Sequence, residues 1–546
     1  MKRAIFFLLI LLIVTNSSWA EQPPFHRGVN LSNWFQSQSA GQIQFTRYTK
    51  QDLIDIKNLG CDVIRLPINL HAMTGGSPDY TIDPLLFTLL DPVVDWAEQL
   101  NLHLILDNHS VDRSVNTPSD IDEILIPVWT QMATHYKNRS NLIYYEILNE
   151  PQGISETAWG VIQQSVIDAI RAVDQDHTII ITPAGGGDHS SLAQMSWYSD
   201  DNLIYTFHFY DPFIFTHQGV NWTSPSLKSL AGIPYPYLQY GMPELPEEYE
   251  DTWVEDSYWD YNNEANMEVL YNLMADINHF AEQRHVRIFC GEFGVYQPNC
   301  DNMFRILWHF LIRMYFETYG IGWTMWEYQG DYGMFEEGSS EFDYGLNTLL
   351  ARMLGFYVPY QYNYYSIPDE TGFEIYHDYL AHNIIESSSL GTGTLNYYSQ
   401  NSPADGDYCI NFTGVNQNEK ISLQFSPIKD LANLEAQGYV LDFYVRCDDT
   451  TAKFDIRFVD AKTNDPDDQP WSMGYPIDNS VATFNGTWNH IQIPLEDFIE
   501  YGSQDGTYPP QGDFDWTAVE LFEIVAQYGD LVGTDLYFDN ITITKP

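Results

Sequence analysis

The sequence has little cysteine and little positive charge. Five cysteines in 546 residues are too few to hold a disulfide-built scaffold together. Lysine and arginine number 24 against 75 aspartate and glutamate residues, which gives a net charge of −51. Nucleic acid is therefore excluded as a partner, because phosphate binding needs a basic surface. The acidic excess favours solubility and resistance to aggregation.

The cysteines form no zinc-binding spacing with histidine. Cys61 and Cys290 lie in apolar, strand-like contexts, where buried free thiols are expected. Cys409 and Cys447 lie in the C-terminal part of the chain. An oxidising compartment would allow those two cysteines to pair.

Long apolar runs are missing after the first 20 residues. Lys2 and Arg3 precede the apolar stretch Ala4–Val14, and a small-x-small site follows at Ser18–Ala20. This pattern predicts a secretory signal peptide over residues 1–20, since the apolar run is too short to span a bilayer. The alternative is a retained anchor. The mature form is expected to start near Glu21 and to be extracellular, monomeric and outside the membrane.

Short apolar strands alternate with helical segments through the first two thirds of the chain. Eight strands are predicted at Arg27–Ser32, Asp62–Ile68, His103–His109, Leu142–Glu150, His177–Ala184, Leu203–Tyr210, Val286–Gly294 and Gly320–Tyr328. Helices are predicted at Thr49–Leu59, Leu89–Leu100, Glu156–Val173 and Met303–Thr318. Eight such repeats predict an α/β fold, a (β/α)₈ TIM barrel, over residues 21–365.

Two further regions depart from this alternation. The Pro- and Tyr-rich connection Gly232–Trp253 is expected to form a wall of a substrate groove, since long irregular connections are usually functional. From residue 371 to 546 the pattern changes to alternating strands, which predicts an all-β jelly-roll sandwich. Strands are expected there at Tyr439–Cys447, Phe454–Ala461, Trp488–Leu495 and Leu536–Ile543.

Two strand-like segments end in a glutamate followed at once by turn residues. They read YYEILNEP, which contains Glu150, and RIFCGEFG, which contains Glu292. Strand ends are where barrel enzymes place their chemistry, and these are the fourth and seventh predicted strands. A pair of carboxylates is what hydrolysis of a glycosidic bond requires. A gap of about 5 Å between them would give a retaining enzyme and a wider gap an inverting one.

Other polar and aromatic residues fall at the same predicted strand ends. They are Arg65, His109, Asn149, His208, Tyr210 and Trp326. A lone residue of this kind often only supports a loop, whereas the whole set favours an active site. Trp34, Trp222 and His71 are further groove candidates, for which core packing is an equal alternative.

Several segments resemble the signatures of glycoside hydrolase family 5. They are RGVNLSNW (Arg27–Trp34), IRLPI (Ile64–Ile68), LILDNH (Leu104–His109), EILNEP (Glu146–Pro151), HFYDP (His208–Pro212), GEFG (Gly291–Gly294) and WTMWEY (Trp323–Tyr328). The resemblance covers Phe25 to Gly355 in order. It implies a retaining double displacement with no cofactor and no metal in the active site.

The resemblance also implies a role for each matching residue. Glu150 would be the acid/base and Glu292 the nucleophile, with Tyr210 bonded to the nucleophile and Arg65 beneath it. Sugar binding would fall to His109, Asn149 and His208, with Trp326 stacking on the sugar.

The segment YTFHFYDPFIFTHQG (Tyr205–Gly219) with PYP (Pro234–Pro236) looks most like bacterial endo-β-1,4-glucanases. The predicted function is thus a secreted cellulase acting on a β-glucan. The alternatives are a β-mannanase, a xyloglucanase or a mixed-linkage glucanase, and more distantly a non-catalytic polysaccharide-binding protein. A metal-dependent barrel hydrolase would usually carry His-x-His at the first strand, where this chain has Asn30–Asn33.

The C-terminal segments FEIYHDYL (Phe373–Leu380) and DLYFDNITI (Asp535–Ile543) resemble galactose-binding-like jelly rolls, a fold common among carbohydrate-binding modules. Trp471, Tyr475 and Trp516 are candidates for stacking on sugar, with core packing as the alternative. A structural calcium site that includes Asp539 is a further expectation.

Overall fold

A computed structural model describes residues 21–110, 116–337, 339–362, 368–388, 390–462 and 469–546. The predicted signal peptide, residues 1–20, lies outside the described residues. Across the described ranges, no helix is both long and apolar enough to cross a membrane.

The N-terminal part of the chain is a closed eight-stranded parallel barrel, as predicted. Each strand pairs with its neighbour in sequence, and the first pairs with the eighth to close the ring. The strands are β1 (Arg27–Asn30), β2 (Val63–Ile68), β3 (His103–Asn108), β4 (Ile143–Glu146), β5 (Thr178–Ile181), β6 (Leu203–Phe209), β7 (Arg287–Phe293) and β8 (Gly322–Met325).

Helices surround the barrel, and most of them begin at a side-chain cap. Thr49, for example, forms a capping box with Asp52 at the start of the first helix, which satisfies backbone groups that the helix leaves free. The helices are α1 (Lys50–Asn58), α2 (Pro84–Leu100), α3 (Asp122–Tyr136), α4 (Glu156–Arg171), α5 (Phe213–Thr216), α6 (Trp253–Glu264), α7 (Met267–Arg284), α8 (Asn302–Tyr319) and α9 (Thr348–Met353). Short 3₁₀ turns lie at Ala40–Gln42, Phe45–Arg47, Leu70–Met73, His189–Gln194, Glu247–Tyr249 and Leu495–Asp497.

Strand β4 ends earlier than the sequence predicts. Its regular pairing stops at Glu146, so Glu150 lies four residues beyond the strand rather than on its last residue. The chain continues along the barrel edge through bonds from Ile147 N to Ile180 O at 3.2 Å and from Asn149 N to Asn108 O at 2.9 Å. Arg65 is also not at a strand end as predicted. It lies in the middle of β2, and its side chain points into the barrel.

The barrel interior is layered. An apolar cluster fills the lower end, made of Phe25, Val63, Ile105, Tyr144, Ile180, Ile204 and Phe289. Side chains on a strand alternate in direction, so residues two positions further along point inward one layer higher. Arg65, Asp107 and Glu146 occupy that next layer, and all three are fully buried. The barrel therefore carries a charged layer directly above an apolar one.

The C-terminal part is a sandwich of antiparallel sheets, as predicted. The strands are β9 (Phe373–His377), β10 (Tyr379–Leu380), β11 (Ile384–Glu386), β12 (Thr394–Ser399), β13 (Cys409–Val415), β14 (Lys420–Lys429), β15 (Val440–Arg446), β16 (Phe454–Asp460), β17 (Trp471–Ile477), β18 (Asn489–Pro494), β19 (Ile499–Ser503), β20 (Val519–Val525) and β21 (Leu531–Thr544). A short helix, α10 (Ala432–Ala436), precedes β15.

The seven-stranded sheet has the order β10-β9-β21-β13-β12, with β15 joined to β21 and β18. The six-stranded sheet has the order β11-β14-β20-β16-β17-β19. The suggested pairing of Cys409 with Cys447 is wrong for this structure, since both are buried free thiols. Their sulfur atoms instead contact the carbonyl oxygens of Ser399 and Asp449.

The sandwich docks on the segment that follows β1. Gln44, which is 6% exposed, donates its amide N–H to Ile384 O and accepts from Glu386 N at 3.2 Å. The amide thus pairs with the edge strand β11 as a peptide group of a neighbouring strand would. The Tyr398 hydroxyl donates to Ile43 O.

We expect Gln44→Ala to weaken the folded state by about 1–3 kcal/mol, because it leaves two main-chain groups of β11 buried without partners. Equilibrium denaturation in urea measures this loss. Gln51→Ala is the matched control, since Gln51 is exposed on α1 and, among the described residues, its side chain bonds to Asp55 of the same helix. Equal stability of the two variants would contradict a docking role for Gln44.

Candidate active site

Glu150 and Glu292 meet across the mouth of the barrel. Both are almost fully buried, at 1% and 3% exposure. One carboxylate oxygen of each and a ring nitrogen of His208 all lie within 4.8 Å of one another. Oxygens this close fit the separation of about 5–5.5 Å between the carboxyl groups of retaining glycosidases better than the 6.5–9.5 Å of inverting enzymes.

Arg65 lies beneath the pair and is fully buried. Its guanidinium donates to Glu292 Oε1 at 2.9 Å and to both oxygens of Glu146 at 2.8 Å. It also donates to Asn30 Oδ1 at 3.0 Å and to Asn149 Oδ1 at 2.7 Å. A rigid fork of five N–H donors allows one arginine to hold several acceptors at fixed positions.

The environments of the buried carboxylates shift their pKa values in opposite directions. Burial alone raises the pKa of Glu292, but the charges of His208 and Arg65 outweigh it, so the pKa lies below the usual value. Burial raises the pKa of Glu146 despite Arg65, and the charge of Asp107 adds to the rise. Glu292 is therefore held as the anion that nucleophilic attack requires.

Two side chains at the end of β6 bond to different glutamates. The Tyr210 hydroxyl donates to Glu292 Oε2 at 2.9 Å. His208 Nδ1 lies 2.6 Å from Glu150 Oε1 and 3.7 Å from Glu292 Oε2. One glutamate is thus held by Arg65 and Tyr210 and the other mainly by His208, which gives them unequal surroundings.

A second group lines one side of the pair. His109 stacks on Trp326 with ring centres 5.5 Å apart and planes 12° apart. His109 Nδ1 lies 2.8 Å from Asp107, and the charge of that carboxylate raises the histidine pKa despite burial, which lowers it. Asn149 Nδ2 lies 3.5 Å from His109 Nε2. His109 and Trp326 are partly exposed, whereas Asn149 is buried. Together they place an aromatic surface and hydrogen-bonding groups beside the carboxylates.

The groove prediction for Trp34 is wrong. Trp34 is fully buried and donates its indole N–H to Phe45 O at 3.0 Å, packed against Phe35 and Tyr48. Trp222 is 55% exposed and contacts Tyr296 and Tyr332. A tryptophan in a loop gives no signal by itself of whether it faces solvent or core.

Sequence reasoning missed Asn30, Asp107 and Glu146, the acceptors that hold Arg65 and His109. Two of them are recognisable from period-two spacing, since Asp107 is two residues after the inward-facing Ile105 and Glu146 is two after Tyr144. Asn30 Nδ2 donates to Gly291 O at 3.0 Å and thereby ties β1 to β7.

Glu327 was also missed. It follows Trp326 and is 5% exposed. Its carboxyl accepts from the Ser32 hydroxyl and, at 3.5 Å, from Tyr332 N. Burial raises its pKa from 4.5 to about 7, because those two neutral donors only partly replace water.

We expect the free energy of unfolding to fall by about 3 kcal/mol as the pH rises from about 4.5 to 7, through Glu327 alone. The folded chain binds this proton more tightly than the unfolded chain, so the contribution is complete below the unfolded pKa and is lost as pH rises through the folded pKa. Denaturation across this window should show a flatter profile for Glu327→Gln. Glu337→Gln, at an exposed glutamate of the same loop, should keep the wild-type profile, and identical profiles for all three proteins would contradict the prediction.

Comparisons with known proteins agree with this geometry. Residues 20–331 match the family model for cellulase (glycosyl hydrolase family 5), and residues 387–545 match carbohydrate binding domain 30. The chain is 28% identical over 340 residues to Endoglucanase 3 of Fibrobacter succinogenes, covering 57% of this chain and 51% of that protein. It is 29% identical over 347 residues to Endoglucanase C of Acetivibrio thermocellus, covering 60% of this chain and 98% of that protein.

Solved structures share the barrel. Endoglucanase Cel5A from Thermotoga maritima is 25% identical, with a TM-score of 0.51, over 60% of this chain and 96% of that one. The family model alone spans more than half of the residues. The chain belongs to glycosyl hydrolase family 5 and is a glycoside hydrolase with a C-terminal carbohydrate-binding domain.

Proposed function

We propose that the chain is a secreted endo-β-1,4-glucanase that hydrolyses internal bonds of a β-glucan with retention of configuration. The observation that carries this proposal is the spacing of Glu150 and Glu292, whose nearest oxygens lie within 4.8 Å. Such a gap places the nucleophile within reach of the anomeric carbon, as direct attack in a retaining enzyme requires.

In the first step Glu292 attacks the anomeric carbon while Glu150 gives its proton to the leaving glycosidic oxygen. Arg65 and Tyr210 favour the anionic form of Glu292, and its negative charge disappears as the glycosyl–enzyme bond forms. In the second step Glu150, now the base, takes a proton from water, which attacks the same carbon and releases Glu292.

Sugar binding beside the cleaved bond falls to the Trp326 ring, which stacks on apolar C–H faces, and to His109 and Asn149, which bond hydroxyls. The fixed stack of His109 on Trp326 means that this surface is organised before substrate arrives. Organisation in advance lowers the entropy that binding must lose.

Two comparisons support the choice of a glucan. The matched relatives are named endoglucanases. The chain spans about half the length of Endoglucanase 3 and nearly all of Endoglucanase C. The C-terminal match to a carbohydrate-binding domain supports a substrate that is part of an insoluble polysaccharide. Export by the N-terminal segment and a monomeric state complete the proposal.

We expect Glu292→Gln to abolish turnover on soluble cellulose and Glu150→Gln to lower it by about 10²–10⁴-fold. A glycoside whose leaving group needs no proton, such as a dinitrophenyl cellobioside, should restore the first step in Glu150→Gln but not in Glu292→Gln. Glu268→Gln, at an exposed glutamate of α7, is the matched control with wild-type activity. Activity of Glu292→Gln equal to that of Glu268→Gln would overturn its role as the nucleophile.

The substrate and the stereochemistry are tested separately. Soluble cellulose, mannan, xyloglucan and a mixed-linkage glucan are compared by the fall in viscosity against the release of reducing ends. A rapid fall in viscosity on cellulose supports internal cleavage, and release of mannose oligomers alone would make the enzyme a mannanase. Proton NMR of the first product should show the β anomer, and an initial α anomer would exclude retention.

For the sandwich we propose that Asp539 is a ligand of a structural calcium ion. Asp539 is fully buried, and its Oδ2 accepts from Ala404 N at 2.7 Å and from Asp405 N at 3.2 Å. Its Oδ1 has no hydrogen-bond partner among the described residues, and burial raises the pKa of the carboxyl. A buried oxygen of this kind suits either a proton or a hard cation.

Calcium should therefore raise the melting temperature of the chelator-treated protein, and Asp539→Asn should remove that rise. A hundredfold excess of calcium over its dissociation constant stabilises by about 2.7 kcal/mol. Differential scanning calorimetry with EGTA and then calcium measures the effect. Asp535→Asn, which loses only a bond to Thr413 at the sandwich surface, should respond as the wild type does. A melting temperature that calcium leaves unchanged would assign a proton to Asp539 instead.

A further inference from the structure

A second cluster of metal-ligating side chains lies at the rim of the barrel, outside the catalytic pair. Asp188 and His189 follow β5, and Asp211 follows β6. One ligand atom of each lies within 4.8 Å of the other two. His189 Nε2 is 2.6 Å from Asp211 Oδ2. Two carboxylates and an imidazole are a ligand set that binds borderline divalent metals such as zinc.

The charges of this cluster are not balanced by the protein. Within the described ranges no lysine or arginine forms a salt bridge with Asp188 or Asp211, and the only ion-pair partner of Asp211 is His189. Asp276 adds a third negative charge close enough to act on His189. Two carboxylates and a neutral imidazole carry a charge of −2, which one divalent cation neutralises.

The histidine is held in position for such a role. Its side chain is 9% exposed, and its ring packs against Phe209 with centres 5.1 Å apart. Asp188 Oδ1 already accepts from Ser190 N at 2.8 Å, which leaves its Oδ2 for a ligand. Tetrahedral zinc with bonds of about 2.0 Å places its ligands about 3.3 Å apart. The histidine and Asp211, 2.6 Å apart, need to separate by less than 1 Å, and the Asp188 carboxylate, within 4.8 Å of both, needs to approach by at most about 1.5 Å.

We propose that Asp188, His189 and Asp211 form a divalent transition-metal site, with zinc as the fitting ion and an open position for water. The site is next to the catalytic centre in the chain and in space. His208 N donates to Gly187 O at 2.7 Å, and His208 lies against Glu150. A metal bound at the rim would therefore link the loop after β5 to the end of β6. His208 contacts the first of these segments and lies in the second.

The test is a zinc titration of the full-length, chelator-treated protein by calorimetry. The Glu292→Gln background is used throughout, because Glu150, His208 and Glu292 are themselves a possible three-ligand set. In that background we expect one saturable equivalent of zinc. His189→Gln and Asp188→Asn should each weaken it by at least about tenfold.

The matched control is His135→Gln. His135 lies 2.9 Å from Asp91, a pair similar to His189 and Asp211. Among the described residues no further carboxylate completes a three-ligand group at this pair. Zinc binding should be unchanged in His135→Gln. Zinc should still raise the melting temperature of His135→Gln, and it should no longer raise that of His189→Gln. Two separate ligand variants keep the test valid if one of them folds poorly. The absence of a saturable site, or equal binding in His189→Gln and His135→Gln, would overturn the proposal.

Discussion

The arrangement of this active site depends on one buried guanidinium. Arg65 contacts Glu292 near the end of β7, and Glu146 and Asn149 at the end of β4. A buried cation without partners is strongly unfavourable, whereas one that is fully hydrogen-bonded fixes the position of every acceptor around it. The ionised state of Glu292 and the orientation of Asn149 thus have a common origin. Removing Arg65 would leave several carboxylates buried together without a counter-charge.

The apolar layer beneath makes this charged layer effective. Phe25 closes the lower end of the barrel and packs edge-on against Tyr144 and Phe289 at 5.3 and 5.2 Å. Water is excluded from that side, so electrostatic interactions above it are less screened. The same low polarity raises the pKa of Glu146. The proton affinity of Glu146 therefore depends partly on the apolar packing beneath it.

Much of the fold was predictable because its signals are local. Buried parallel strands are short apolar runs between turn residues, and period-two spacing identifies the inward-facing side chains. The bounds of the barrel strands agree to within four residues, and their largest difference is at Glu150, where the chain continues along the barrel edge after regular pairing ends. The burial of Trp34 and the position of Glu327 were not predictable, because both depend on the docking of loops distant in sequence. The role of Gln44 depends on the other domain in the same way.

The docking of the sandwich has a consequence for how such chains exchange parts in evolution. Carbohydrate-binding domains joined by long, polar linkers can be replaced by recombination without altering the enzyme. Here Gln44 of the barrel pairs with the main chain of β11, and Tyr398 of the sandwich bonds to the loop that carries Gln44. A foreign domain inserted after the barrel would leave this loop without its partner. In chains that carry both domains, we therefore expect the segment after β1 to change together with strands β11 and β12.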